Sequence, residues 1–542
     1  MDYIINTYIF LVVKFAFFYL FLFLLGRSVL FLFKKDIKID ENKILNLDIQ
    51  IIYPIVGLIF LGNYLVIFNF FLPIKSNLTF LVLSLILINI RSLPRLEIFR
   101  KLSFFLPIYL VLLISSYNIY YHYDAGLYHL SNQLLIRENN IILGISNIYG
   151  PYGVGSIYEY VSSFFWIDKT FVLLHFLNLI FIGFLYELIY SLVIRNDIKV
   201  LKNIGISLLL YSILDNFGYM GGRNGFIYFQ GIGKQDVAVS VLFLFTTILI
   251  IYNIKTKKYD SLNFFIISLF SLFIYQLKVS GSMIFSFYIF YLICLSKNMK
   301  LKEINKKSIL LPSFLAFIWI VKSILSTGCL IFPLTISCFD NISWVDKKYI
   351  SVVEDISIGY SVSYSFGESF MNWFTNYIAL DLNRSILLNF VISYLVISFI
   401  FFSKKIKDKN KNIYLNISFI LFLNLLFYIK FGPDPRYIMA LQILLVALIG
   451  LKKRPRIEIP PIILFILFTF ALLSFVRLDS YREFNFFSHP SYEIPQPELV
   501  QLDQRYAPKE GDQCWATANC SANHEKYFIT QTNYFKIVKL ES

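Results

Sequence analysis

Long apolar runs dominate this chain and constrain its fold more than any other feature. A helix needs about 20 predominantly apolar residues to cross the hydrocarbon core of a bilayer. Hydrophobic residues make up 57% of the 542 residues, which is more than a soluble core can bury. The sequence therefore predicts an all-α polytopic membrane protein. About fourteen transmembrane helices are expected by length, near 8–31, 50–72, 78–91, 103–120, 171–193, 203–216, 236–253, 261–276, 280–296, 308–326, 385–403, 412–430, 438–451 and 458–477.

Lysine and arginine alternate along the chain. Every second connection between apolar runs is basic, and short cytoplasmic loops accumulate these residues. With the basic loops inside, both termini lie outside, as do the loops near 121–170, 215–235, 327–384 and 431–437 and the tail after about 478. The net charge of +15 is then a signal of topology in the cytoplasmic membrane, and no nucleic-acid partner is expected.

Four of the five cysteines fall in these outer segments as close pairs. Cys329 lies near Cys338, Cys514 lies near Cys520, and Cys294 lies within an apolar run. Disulfides persist in an oxidising compartment. We expect two disulfides on a periplasmic or extracellular face, with free thiols as the alternative.

A carboxylate, Asp124, directly follows the fourth apolar run, in the segment YDAGLYH at 123–129. An apolar stripe at helical spacing follows it, made of Leu127, Leu130, Leu134 and Leu135. This stripe predicts a helix that lies in the membrane interface. Asp124 is placed to cap that helix, which is one explanation for the residue. An acidic residue at a membrane surface also indicates a functional site. We therefore predict that Asp124 is catalytic.

Cations occur on the outer side at three places. Lys278 lies between two apolar runs, where it needs an anionic partner, either a phosphate or a carboxylate from a neighbouring helix. Arg436 follows two prolines that fix the backbone of the turn, and its planar guanidinium suits phosphate; a salt bridge to Asp434 or another acid is the alternative. Arg223, Lys234 and Asp236 form a third charged group at a helix entrance, with snorkelling or capping as the alternative.

Two further patterns are less specific. Residues 147–155 are rich in glycine and tyrosine, which suits either a sugar cradle or an ordinary turn cluster. The spacing of His122, Asp124 and His129 allows a metal site. We expect these side chains to form hydrogen bonds with water instead.

The order of these features resembles the GT-C class of membrane glycosyltransferases. That class has an aspartate in a first large outer loop, an interfacial helix behind it, further spans and a second large outer loop. On this resemblance, residues 1–100 are additional N-terminal helices, 101–384 the GT-C-like core, 385–478 the C-terminal helices and 479–542 a small extracytoplasmic appendage.

Short motifs also make the chain similar to a bacterial group of poorly characterised GT-C-like membrane proteins. The similarity covers most of residues 100–535. It lies in YDAGLYH at 123–129, Lys278-x-Ser280, PDPRY at 433–437, and GDQCW at 511–515 followed by Cys520.

The resemblance implies transfer of a sugar from a polyprenyl-phosphate donor to a glycan or lipid acceptor outside the cytoplasm. Asp124 would be the base, held by Tyr128 or His129. The cations Lys278, Arg436 and Arg223 would bind substrate and stabilise the leaving phosphate, and Asp236, Tyr128 and His129 would also bind substrate. A divalent ion is a further expectation, on the acids Asp340, Asp346, Glu354 and Glu368.

Three other classes fit part of the pattern. A polysaccharide polymerase or ligase is also outward-facing and arginine-dependent. A transporter of a lipid-linked or anionic solute also uses membrane cations, but it needs access from both faces. A non-catalytic assembly subunit would use the tail from about Asp479 as its docking module.

Overall fold

A computed structural model describes most of the chain. The described residues are 7–33, 43–90, 106–166, 172–217, 231–298, 304–359, 370–402, 411–431, 435–451, 459–490, 494–502, 505–521, 526–532 and 534–540. Within these ranges the protein is mostly helical, and its strands form short two-stranded hairpins.

Twenty α-helices occur in the described ranges, in an order that follows the apolar runs. The first ten are α1 Tyr8–Phe33, α2 Tyr53–Asn69, α3 Leu78–Ile90, α4 Leu106–Leu113, α5 Leu130–Glu138, α6 Gly150–Val154, α7 Ile157–Phe164, α8 Val172–Tyr190, α9 Lys199–Asn216 and α10 Asp236–Thr256. The others are α11 Ser261–Leu277, α12 Ile284–Asn298, α13 Lys306–Thr327, α14 Lys347–Gly359, α15 Phe370–Ala379, α16 Asp381–Phe402, α17 Lys411–Phe431, α18 Met439–Ile449, α19 Pro461–Phe475 and α20 Leu478–Glu483.

Eight helices of the described chain are long and apolar enough to cross a membrane. They are Tyr8–Phe31, Ile49–Asn69, Val172–Arg195, Asp236–Thr256, Val279–Asn298, Lys306–Thr327, Asn383–Phe401 and Asn412–Ile429. The protein is therefore a multi-pass membrane protein. Every predicted apolar run coincides with a helix, but the number fourteen is not confirmed. The helix α18, for example, has 11 residues and a length of about 16 Å, which is too short for a full crossing.

Burial separates central helices from peripheral ones. In the most apolar stretches of α8 and α10, 94% of residues are buried, whereas the fraction is 28% in α13 and 24% in α16. The exposed side chains of the peripheral helices include Phe314, Phe317 and Phe399. A helix that exposes large apolar side chains is stable where lipid surrounds it, so α8 and α10 form the centre and α13 and α16 the lipid-facing rim.

Close packing of α1 against α2 depends on two glycines. A Cβ atom on Gly26 would lie 1.9 Å from the carbonyl oxygen of Tyr53, and one on Gly57 would lie 2.0 Å from that of Leu22. Small residues allow membrane helices to approach at backbone distance. The two N-terminal helices α1 and α2 are therefore packed firmly against each other.

The C-terminal segment folds back onto the loop that follows Asp124. It contains two antiparallel hairpins, of β3 Leu499–Leu502 with β4 Arg505–Pro508 and of β5 Tyr527–Gln531 with β6 Lys536–Leu540. The Val538 N–H donates a 2.9 Å hydrogen bond to the Leu143 carbonyl. The segment therefore covers the first loop, a role that the expectation of a small separate appendage did not include.

Candidate functional site

A short backbone pairing brings two distant loops together. Tyr121 and Ile232 form a parallel bridge. The Ile232 N–H donates to the Tyr120 carbonyl at 2.9 Å, and the His122 N–H donates to the Ile232 carbonyl at 3.1 Å. This pairing fixes the segment before α10 beside the segment that carries Asp124.

Gly233 makes the pairing sterically feasible. Its φ is +94°, and a Cβ atom on it would lie 2.8 Å from the Ala125 side chain. A residue with a side chain is disfavoured by this backbone conformation. The glycine therefore allows the next residue, Lys234, to approach Asp124.

Asp124 forms an ion pair with Lys234, and Arg436 lies on its other side. The Lys234 ammonium donates to Asp124 Oδ2, and Arg436 Nη1 lies 3.7 Å from the same oxygen. The Lys234 side chain is only 3% exposed and that of Asp124 is 14% exposed. Burial raises the pKa of Asp124, but the Lys234 charge outweighs it and lowers the pKa to about 2. Asp124 is therefore a carboxylate at neutral pH.

The Asp124 carboxylate does not cap the helix that follows it. The residues Ala125–His129 form a single π-helical turn, and Asp124 at its N-cap position makes no capping side-chain hydrogen bond. Single π-helical turns occur frequently at functional sites. The capping alternative therefore does not account for Asp124.

A second ion pair adjoins the first. Lys278 Nζ lies 2.6 Å from Asp236 Oδ1 and 4.4 Å from the centre of the Tyr437 ring. Of the two alternatives for Lys278, a phosphate or a protein carboxylate, the structure supplies the carboxylate. Burial lowers the pKa of Lys278, but Asp236 outweighs it and the pKa is raised. The other carboxylate oxygen, Asp236 Oδ2, is buried without a hydrogen-bond partner among the described residues.

The two pairs form one charged cluster, which we call the Asp124 cluster. It consists of Asp124, Lys234, Asp236, Lys278 and Arg436. Burial lowers the pKa of Lys234 to about 8, and the neighbouring cations Lys278 and Arg436 add to the effect. Three cations against two carboxylates leave one net positive charge, so the cluster favours an anion.

His129 belongs to a different polar group. Its Nδ1 lies 2.8 Å from Glu159 Oε1, and Asn132 Nδ2 donates to Glu159 Oε2. The expectation that His129 holds Asp124 directly is therefore not met. Tyr128 has a raised pKa because of burial and then the Asp124 charge, so it lies within the electrostatic reach of the carboxylate.

Sequence reasoning missed Glu159 and did not assign Lys234 to the site. Glu159 lies in α7 and is 2% exposed. A carboxylate inside the apolar stretch IYEYVSSF was the available signal, because such a group must have buried partners. Lys234 was noted as a charge at a helix entrance, but its partner is 110 residues away.

The predicted loop helix is present as α5, but its polar side is covered. Ser131, Asn132 and Gln133 are all buried, and the Trp515 N–H donates a 2.7 Å hydrogen bond to the Gly126 carbonyl. Tyr123 donates its hydroxyl to Asp512. The C-terminal segment therefore closes over the π-helical turn and α5.

The glycines at 150 and 153 contact the second loop. A Cβ atom on Gly150 would lie 2.7 Å from Val353, and one on Gly153 would lie 2.8 Å from Phe332. Protein side chains occupy the space that a sugar cradle would need at these two positions. Both glycines lie in the short helix α6, which they allow to pack closely against the second loop.

The second loop and the tail each contain a disulfide. The sulfur atoms of Cys329 and Cys338 are bonded, as are those of Cys514 and Cys520.

Asp340 pairs with Lys347, Glu354 accepts hydrogen bonds from Thr335, and Asp346 accepts one from the Tyr349 N–H. In the described ranges, no three His, Cys, Asp or Glu residues are grouped so that they could hold a metal ion. Arg223, Asp434 and Glu368 lie outside the described residues.

Comparison with known proteins yields one family. A family profile described as "Domain of unknown function (DUF8201)" matches residues 8–443. No curated protein and no solved structure matches the chain.

Proposed function

Because the chain belongs to this family of unknown function, we propose its activity from the Asp124 cluster: transfer of a sugar from a polyprenyl-phosphate donor to a glycan or lipid acceptor. The reaction would take place at the outer side of the cytoplasmic membrane. One observation carries the proposal. The Asp124 carboxylate lies within ion-pairing distance of both Lys234 and Arg436, so a candidate base and candidate phosphate ligands share one site.

The proposed base is Asp124. The acceptor hydroxyl would give its proton to this carboxylate as the acceptor oxygen bonds to the anomeric carbon of the sugar. A general base of this kind contributes about 10²–10⁴-fold to the rate. A carboxylate whose pKa is about 2 is a weak base while Lys234 is bound to it. A donor phosphate that attracts Lys234 and Arg436 would loosen this pair and raise the basicity of Asp124.

The cations would stabilise the leaving group. As the bond between the anomeric carbon and the phosphate oxygen breaks, the polyprenyl phosphate keeps the electron pair. Lys234 and Arg436 are placed to meet that charge, and Lys278 lies in the adjoining pair. Preorganised charges of this kind are the largest single contribution in many enzymes.

The membrane helices support a lipid-linked donor. Transfer of each CH₂ of a polyprenyl chain into water costs about 0.8 kcal/mol, so the reaction must take place at the bilayer. The cluster lies at the start of the apolar helix Asp236–Thr256 and directly before the apolar stretch Val279–Asn298. The phosphate could therefore reach the cluster while its lipid chain stays among the helices.

The decisive experiment is the substitution Asp124→Asn. Removing the base should reduce transfer by about 10²–10⁴-fold while insertion into the membrane stays normal. Purified variants are assayed with polyprenyl-phosphate sugars, and lipids from cells that carry only the variant are analysed by mass spectrometry. The expected result is accumulation of one polyprenyl-phosphate sugar. Asp381→Asn is the matched control, because that carboxylate is exposed and pairs only with Arg384 among the described residues. Full transfer by Asp124→Asn would remove Asp124 from the mechanism, and unchanged lipids and glycans would favour transport or scaffolding.

The substitutions Lys278→Ala and Arg436→Ala test the role of the cations. Both should raise the KM for the donor more than they lower kcat. Arg436→Ala removes a cation that would contact the phosphate, and Lys278→Ala removes the net positive charge of the cluster, because Lys278 itself is paired with Asp236. Lys347→Ala is the control for loss of an exposed lysine. Wild-type donor KM in both cluster variants would dismiss the phosphate role.

A further inference from the structure

A polar cavity lies at the opposite end of the bundle from the Asp124 cluster. The helix α2 begins beside it and ends at Asn69, whose side chain donates hydrogen bonds to the carbonyls of Ile136 and Asn139 in the first loop. The 17 residues of α2 span about 25 Å. The cavity is thus a separate site about one helix length away.

The floor of the cavity is a buried carboxyl group. Glu187 lies within the apolar helix Val172–Arg195 and is 1% exposed. The Tyr19 hydroxyl donates to Glu187 Oε1 at 3.3 Å, and the Tyr109 ring packs edge-on against the Tyr19 ring with 5.0 Å between their centres. An ionisable residue at such a position in a membrane helix is expensive and marks a site.

A second buried polar group lines the same cavity without a partner. Gln50 is 5% exposed, and its Nε2 has no hydrogen-bond partner among the described residues. An unpaired buried amide costs free energy unless something accepts its hydrogen. Gln50 and Glu187 both line a cavity of about 130 Å³, whereas one water needs about 10–15 Å³. The space therefore suits a small polar group.

The rim of the cavity carries positive charge. Lys43 and Arg195 line it together with Asp48, and Arg195 also lies over the Tyr190 ring. Lys43 and Asp48 belong to the hairpin of β1 Lys43–Ile44 and β2 Leu47–Asp48. Its turn residues Leu45 and Asn46 have φ values of 53° and 60°.

The hairpin is held in this strained turn by a specific contact. The Asn196 Nδ2 donates a 2.9 Å hydrogen bond to the Leu45 carbonyl. A non-glycine residue in the left-handed region persists only where its surroundings enforce it, and such residues cluster at ligand sites. The contact with Asn196 therefore fixes the position of the hairpin at the rim of the cavity.

We infer that this cavity binds the headgroup of a membrane lipid that carries both a phosphate and an ammonium group. The phosphate contacts Lys43 and Arg195 at the rim, and Gln50 Nε2 donates to a phosphate or ester oxygen. The ammonium group reaches the Glu187 carboxyl, which needs a cation or a proton at that depth. The inference does not depend on the proposed sugar transfer, because none of these residues belongs to the Asp124 cluster.

The test compares headgroups on the full-length protein in detergent. Phosphatidylethanolamine carries both groups, phosphatidylglycerol lacks the ammonium, and O-phosphoethanolamine is the free headgroup without a lipid. Binding is measured by native mass spectrometry and by the shift in thermal unfolding. Wild-type protein should bind phosphatidylethanolamine roughly tenfold more tightly than phosphatidylglycerol, because the ammonium group adds one hydrogen bond to a charged partner. Competition by O-phosphoethanolamine at similar concentration would support the same chemistry with a soluble ligand.

Three variants separate the contributions. Glu187→Gln should abolish the preference for one lipid over the other, whereas Lys43→Gln should weaken the binding of both lipids by a similar factor. Gln50→Leu removes the unpaired amide and should also weaken the binding of both lipids. This variant keeps the inference testable if Glu187→Gln fails to fold. Glu138→Gln is the matched control, because that exposed carboxylate pairs with Lys75 at the opposite end. Equal wild-type binding of the two lipids, or a wild-type preference retained by Glu187→Gln, would overturn the inference.

Discussion

Asp124 is partly buried and Asp236 is fully buried, and each carboxylate has a lysine against it. Each lysine is supplied by a different loop, so neither pair can be recognised from spacing along the chain. Lys278 was expected to need an anion, and the structure provides Asp236 at 2.6 Å. Arg436 was expected to bind a phosphate or an acid, and it lies 3.7 Å from Asp124. The charge of each residue could be predicted, but its partner required the fold.

A prediction at this scale concerns the pH dependence of transfer. The pKa of Lys234 is lowered from its usual value near 10.5 to about 8, so Lys234 loses its charge as pH rises through 8. Transfer should therefore fall above about pH 8, because the neutral amine no longer stabilises the phosphate. The carboxylate of Asp124, with a pKa of about 2, stays ionised over this range and does not cause the fall.

The variant Lys234→Arg tests whether Lys234 causes the fall in transfer at high pH, which is the alkaline limb of the pH profile. A guanidinium stays protonated well beyond pH 10, so the decline should move to higher pH even if the maximal rate is reduced. The measurement is kcat/KM for the donor between pH 6 and pH 10, in wild type and variant. An unchanged alkaline limb in Lys234→Arg would show that another group titrates.

The helices could be predicted from the sequence, whereas the short connections that build the site could not. Apolar runs locate helices because the backbone must be satisfied internally in lipid, and each run coincides with a helix of the described chain. The bridge between Tyr121 and Ile232 has no such periodic signal. It depends on two glycines, Gly231 and Gly233, in a stretch that also fits an ordinary loop.

The substitution Gly233→Ala tests this connection. The positive φ costs an alanine about 1–2 kcal/mol, and the new Cβ atom would also press on Ala125 at 2.8 Å. We expect a lower unfolding temperature and a loss of transfer, because Lys234 moves away from Asp124. Gly511→Ala is the control: its φ is +70°, but nothing lies within 4 Å of the added atom. The control should show the backbone cost alone, and equal losses of transfer in both variants would contradict a specific role for Gly233.

At the scale of the whole molecule, the C-terminal segment completes the face that carries Asp124. Its sequence signal is the pair Cys514 and Cys520, and the resemblance implies a small appendage at 479–542. Where that unit docks depends on contacts such as the Tyr152 hydroxyl donating to the Cys520 carbonyl at 2.7 Å. Such contacts join positions hundreds of residues apart. The orientation of this face toward the outside remains a prediction from the lysine and arginine pattern.

Deletion of residues 491–542 tests whether this cover matters for activity. The shortened chain keeps the contacts that anchor residues 484–489, including the 2.6 Å hydrogen bond from the Tyr117 hydroxyl to the Asn485 carbonyl, so membrane insertion should be normal. It loses the hydrogen bond from the Trp515 N–H to the Gly126 carbonyl, which holds the turn after Asp124. Transfer should fall by at least about tenfold, which corresponds to roughly 1.4 kcal/mol in the barrier. Gly126→Ala should reproduce much of this loss in the full-length chain, because its Cβ atom would lie 2.9 Å from the ring of Trp515, the residue whose N–H holds the turn. Rates and limited proteolysis of the first loop are measured together, and full transfer by the shortened chain would show that the Asp124 cluster functions without its cover.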